Sequence, residues 1–330
     1  MALNVSTKSI AGVVAIVFLL FYLLGVFWSF EPDSFNVREV ALNDAKVDNV
    51  KPVVGYTTTT TLIEVAETVL NKPGGYLAND ITPPSVLLDN IPAWEFGALE
   101  MIRDMSLAMR QSFSRSQSQS LENAHLKQAQ PKFNIDHRNW AIPSAEGEYQ
   151  DAIQNLYAYR KDLADPLVQD AQFYARADNL SDWLREVEKR LGSYSQRLSA
   201  SVGRNQLNTD LAGDRTAQQS TVSASSVMVK TSWWQIDDVF YESRGACWAL
   251  LHLLQAIEVD FADVLQNKNA SVSVSQIIRE LEATQETVWS PMILNGNGFG
   301  LVANHSLVMA NYISRANAAL IDLRELLSQG

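Results

Sequence analysis

A chain of 330 residues, 47% of them hydrophobic, can bury a sizeable core as one large domain or two smaller ones. Its formal charge of −11 and pI of about 4.9 argue against a nucleic-acid partner, because phosphate binding needs clustered Lys and Arg, and against lying flat on anionic lipid. The one cysteine, Cys247, excludes an intrachain disulfide and a Cys-based metal site, and reads as a small buried apolar residue.

The stretch from Ile10 to Phe30 carries no charge. At about 1.5 Å per residue it spans about 31 Å, the thickness of a bilayer's hydrocarbon core. A secretory signal would have an apolar region of about 7–15 residues and a small-x-small cleavage site. This run is longer and ends in Phe27, Trp28 and Phe30, so it reads as an uncleaved anchor. Ile10, Phe18 and Tyr22 face lipid in that reading, and Trp28 suits the interfacial belt. Lys8 precedes the run, while Glu31 and Asp33 follow it. That charge order puts the N-terminus in the cytoplasm of a bacterium and the long C-terminal part in the periplasm, beyond the inner membrane.

Residues 1–30 are thus a cytoplasmic stub and anchor, and 31–55, a charged stretch of little periodicity, is a linker. Residues 56–200 form a first helical part. Thr61-Leu62-Ile63-Glu64 matches a capping box, and Leu62, Val65, Ala66, Val69 and Leu70 line one helix face. That helix stops at Asn71, before a loop of two glycines and three prolines that reaches Pro84 and reads as a rigid corner. Asp89 or Asn90 caps the next helix, whose stripe runs Trp94, Ala98, Met101, Ile102, Met105. Ser112 to Ser120 is a solvated continuation or a loop, and Pro131 to Pro143 contains another loop. Tyr149 to Leu163 and Asn179 to Leu198 read as helices. Residues 201–230 are predicted to be a mobile connection, rich in Ser, Thr, Asn and Gln. The second helical part, 231–330, packs with the first. It holds a long helix over Trp234 to Leu265, in which Gly245 bends the helix or allows a close contact. Helices over Ser275 to Val288 and Leu301 to Leu327 follow. Almost nothing alternates with period two. The predicted fold is all-α: one transmembrane helix and an acidic bundle of about six to eight helices.

The strings G-Y-T-T-T-T-T-L-I, N-K-P-G-G-Y-L-x-N-D, P-P, W-E-F-G and R-D-M-S resemble a bacterial membrane-protein family, domain of unknown function 2333. The resemblance covers nearly the whole chain. It implies an envelope protein of proteobacterial type and brings no catalytic residues with it.

Few motifs of known chemistry are present. Gly74-Gly75 follows a helix and no G-K-[ST] occurs, so a structural turn is favoured over a phosphate cradle; Asn295 to Gly300 reads the same way. His125, His137, His252 and His305 form no close pair, and neither a metal nor a cofactor is expected. His252, on an apolar helix, reads as a satisfied core histidine. Asp237, Asp238 and Glu242 read as a solvated acidic face. Glu95, between Trp94 and Phe96, is the first residue to test as a raised-pKa catalytic acid, although a charge on a first helical turn is ordinary.

The preferred reading is an interaction or assembly module of the cell envelope, not an enzyme, that docks a protein partner or another copy of itself. Tyr76, Asp80, Trp94, Trp233, Trp234 and Phe299 are the candidate contacts, and several are equally plausible as core. The alternatives are a membrane-tethered cell-wall hydrolase with a buried carboxylate and a bundle that senses a small molecule.

Overall fold

The computed structural model describes residues 7–116, 121–207 and 226–329. The N-terminal stub and most of the expected mobile connection lie outside them. The fold is all-α. Helix α1 (Thr7–Trp28) stands apart from the rest: its Ile10–Trp28 window has mean hydropathy 2.8 and is 6% buried, and it is long and apolar enough to cross a membrane. Ile10, Phe18 and Tyr22 are exposed along it, and Trp28 is half-buried.

Ten helices follow among the described residues, more than the expected six to eight. Two of the additional helices are α2 (Val37–Val47) and α5 (Ala124–Phe133). α2 lies in the stretch expected as a linker. Asn36 caps it, and Val37, Ala41 and Ala45 bury one face. α5 ends past Pro131, so the loop expected from that proline begins later.

α3 (Tyr56–Asn71) starts five residues before the expected capping box, and all five threonines of Thr57 to Thr61 are buried within it. Its N-terminus is served from the other end of the sequence. The Asp260 carboxylate accepts from the Thr58 backbone N–H and from its hydroxyl, both at 2.7 Å. A carboxylate against a helix N-terminus is a favourable charge–dipole contact, and no local sequence pattern announces it.

α4 (Asn90–Ala108) is capped by Asp89 and runs into a π-turn at Met109–Phe113. α6 (Ala145–Ala164), α7 (Ala177–Ser199), α8 (Ile236–Asp260), a short α9 (Ala262–Asn267), α10 (Ser271–Ala283) and α11 (His305–Ser328) complete the bundle. The single long helix expected over 234–265 is divided at Phe261 into α8 and α9. Strands β1 (Arg204–Leu207) and β2 (Ser226–Val229) pair antiparallel, Arg204 opposite Val229.

α8 is the axis of the molecule. Apolar side chains surround it, from Val239 and Phe240 to Ile257, and such a helix must be enclosed. α4 packs closest, with α3 and α10 also against it; α11 packs on α7 and α10, and α6 on α3 and α5.

The bundle has two distinct ends. At one, Trp28 of α1 lies over Gly74, Glu31 pairs with Arg244, and the Phe35 ring stacks on His252 at 4.0 Å. From Arg244 to His252 the chain therefore climbs α8 away from α1. At the far end, Asp260 meets Thr58, Phe113 meets Phe261, and Lys268 donates to the Gln329 carbonyl. α4, α8 and α11 start at the α1 end, whereas α3, α7 and α10 finish there.

Candidate functional site

The loop of residues 72–89 is built around one buried ion pair. Lys72 Nζ lies 2.5 Å from Glu95 Oε1, with both side chains fully buried, and it also donates to the Gly75 carbonyl at 2.6 Å. The same carboxylate accepts from the backbone N–H groups of Leu77 (2.9 Å) and Ala78 (2.8 Å). Burial pushes the Glu95 carboxyl up to about 7, and Lys72 and the two N–H groups oppose that rise. Glu95, the residue put first for test as a catalytic acid, thus sits inside the fold with a raised pKa, its carboxylate holding the loop.

The held loop forms a seat for the end of α1. Gly74 has φ 89°, and a Cβ there would meet the Trp28 ring at 2.7 Å, so the position needs glycine for both conformation and space. One turn earlier, Gly25 is buried beside Leu88 and Pro84. Beyond α1, Arg244 is almost fully buried; it pairs with Glu31 at 2.6 Å and donates to the carbonyls of Thr284, Gln285 and Glu286. Burial raises the Glu31 carboxyl against the pull of that guanidinium. His252 completes the attachment. Its Nε2 accepts from the Phe35 N–H at 3.0 Å, so Nδ1 carries the ring proton and donates to the Trp248 carbonyl at 2.7 Å. Burial lowers its pKa to about 4, which keeps it neutral and satisfied at both nitrogens.

Beside this seat lies a groove of about 910 Å³ between the loop, the start of α4, the end of α7 and the start of α8. Val86, Leu88, Phe96 and Val239 give it apolar walls. Asp80, Asp89 and Asp238 face it together with Arg138 and Lys230. Glu242 and Arg197, also on its wall, form a two-pronged pair at 2.6 and 2.5 Å. Burial raises the Asp238 carboxyl, and the neighbouring Asp89, Asp237 and Glu242 add to the rise.

The remaining candidate contacts divide by burial. Tyr76 and Trp94 belong to the core, the second of the two readings open to them from the sequence. The Tyr76 hydroxyl donates to the His137 carbonyl at 3.0 Å, and Trp94 packs on Trp248. Asp80 is half-buried on the groove. Trp233 and Trp234, ring against ring at 5.0 Å, and Phe299 are exposed. Cys247 is buried, and its thiol is pushed up to about 12.

A family model described as an uncharacterized protein conserved in bacteria, DUF2333, matches residues 2–330. The chain belongs to that family. No curated protein and no solved structure matches it. In this DUF2333 chain, sequence reasoning missed Lys72, Glu31, Arg244 and Gly74 as the parts that seat α1. The apolar flanks of Glu95 hinted at a buried acid, but its partner lies 23 positions away and nothing local marks it.

Proposed function

We propose that the protein is a single-pass inner-membrane protein whose helical bundle is held in the periplasm as a rigidly mounted interaction or assembly module. The observation that carries this reading is the built seat. Gly25 and Trp28 of α1 occupy shaped positions on the loop, and the next seven residues are tied to α8 by an ion pair and a ring stack. A leader that is cut away needs no such seat, and a flexible tether would not be fastened. The charge order of Lys8 before α1 and Glu31 and Asp33 after it supports a cytoplasmic N-terminus.

The groove opens at the α1 end, beside the membrane in this arrangement. It therefore fits a juxtamembrane segment of a protein anchored in the same bilayer, or of a second copy of this chain. The commitment of the Glu95 carboxylate to Lys72 and the loop favours the module over the hydrolase alternative. Membrane fractions washed with alkaline carbonate test the anchor. The expected result is retention of the full 36.7 kDa chain, with a C-terminal alkaline phosphatase fusion active. Crosslinking at native expression tests the module and should give a defined larger species. Recovery of a chain without α1, or of monomer alone, would sink the proposal.

A further inference from the structure

Exposed aromatic residues are not spread evenly over this molecule. Outside α1, three tryptophans are core: Trp94, Trp183 and Trp248. The other four are exposed: Trp140 at 61%, Trp233 at 69%, Trp234 at 79% and Trp289 at 94%.

All four lie at the α1 end of the bundle. Trp140 is in the loop whose His137 and Asn139 carbonyls accept from Tyr76 and Asn79, next to the seat of Trp28. Trp233 and Trp234 lie in the short turn Trp233–Gln235 that leads into α8, about three turns before Arg244, on the side from which Glu31 arrives. Trp289 lies in the connection from α10 to α11, whose first carbonyls are gripped by Arg244. Phe299, wholly exposed, is in that same connection. Among the described residues the far end shows only exposed aliphatic residues such as Leu167 and Val272, and no exposed aromatic ring. Leu87, 77% exposed, adds to the α1 end, because its neighbours Pro84 and Leu88 touch Gly25 one turn inside the end of α1.

We infer that this end of the bundle is a second membrane-contact surface, with Trp140, Trp233, Trp234, Trp289 and Phe299 inserted at the lipid headgroup level around α1. It rests on the reading of α1 as a retained anchor. An exposed indole prefers the bilayer interface, where its ring is desolvated and its N–H stays wet. Apolar exposure gathered on one face marks a contact surface. Continuity with a helix of membrane-crossing length identifies the occupant as lipid. The chain's charge of −11 means that ring insertion carries the contact, not attraction to anionic headgroups.

The test uses the full chain in phosphatidylcholine vesicles with an environment-sensitive label at Trp234→Cys, Trp289→Cys or Phe299→Cys. Val272→Cys and Leu167→Cys serve as far-end controls. Cys247 is buried and stays in place. Brominated phosphatidylcholine should quench the α1-end labels several-fold more than the controls, equally with or without added phosphatidylglycerol. Equal quenching at both ends, with α1 still resistant to carbonate, overturns the inference and spares the anchor. Labels shielded from aqueous iodide yet unquenched by lipid also overturn it, and assign the face to a protein or a second copy. Release of the whole chain by carbonate removes both readings.

Discussion

Glu95 and Lys72 bring opposite charges into a place that water does not reach. Neither is affordable alone. Breaking a buried pair from one side leaves an uncompensated charge and costs about 3–5 kcal/mol, whereas removing both charges together is often near neutral. Glu95→Gln should therefore lower the unfolding free energy of the detergent-solubilised chain by that order, read from the shift of its denaturation midpoint, with loosening of the loop and of the α1 seat. Lys72→Met in the Glu95→Gln background should recover part of the loss, though Leu77 and Ala78 keep weaker acceptors. A Glu95→Gln protein as stable as the parent would mean that the pair does not hold the loop, and would return Glu95 to consideration as a chemical residue.

At the scale of elements, α4 and α8 touch backbone to backbone. A Cβ on Gly97 would run into the Glu242 carbonyl oxygen, and one on Gly245 would run into that of Trp94. Neither neighbour is a flexible side-chain tip, so one helix would have to move. Overpacking of a core costs about 1–3 kcal/mol, and two opposed backbones put Gly97→Ala and Gly245→Ala at the upper end or beyond. Gly192, inside α7, is different: the nearest atom to its added Cβ is Asn317 Nδ2 at 3.8 Å, an ordinary contact. Gly192→Ala should stabilise by about 0.5–1 kcal/mol through helix propensity. Thermal melts of the three variants check the contrast, and a neutral Gly245→Ala would refute the close contact. From the sequence alone Gly245 either bends α8 or admits a neighbour. The second is what the packing shows, and it is invisible locally because Trp94 lies 151 positions earlier. α3 teaches the same lesson, since its true start is set by Asp260 and not by the capping box at Thr61.

At the scale of the whole molecule, what was legible is what repeats along the chain: the uncharged run of α1 and the helical period of α4, α6, α7 and α8. What was not legible is attachment. Residues 31–48 carry only a short apolar rhythm, Val37, Ala41 and Ala45, and distant polar partners hold the rest: Arg244 holds Glu31, His252 holds Phe35, and Arg160 holds Asp44 and Asp48. A composition that reads as a loose linker is instead a strap. Removing α1 alone should leave the strap bound, so a fragment of residues 31–330 should keep the helicity of the bundle. A fragment of residues 37–330 takes away the Glu31 carboxylate and the Phe35 ring and N–H. Arg244, buried, would then keep only carbonyl partners, a loss of about 3 kcal/mol for a buried charge stripped of its counter-ion. The shorter fragment should melt clearly below the longer one, and Glu31→Gln in the longer fragment should account for much of the gap. Equal melting of the two fragments would show that the strap is a tether after all, and that the bundle is not rigidly mounted.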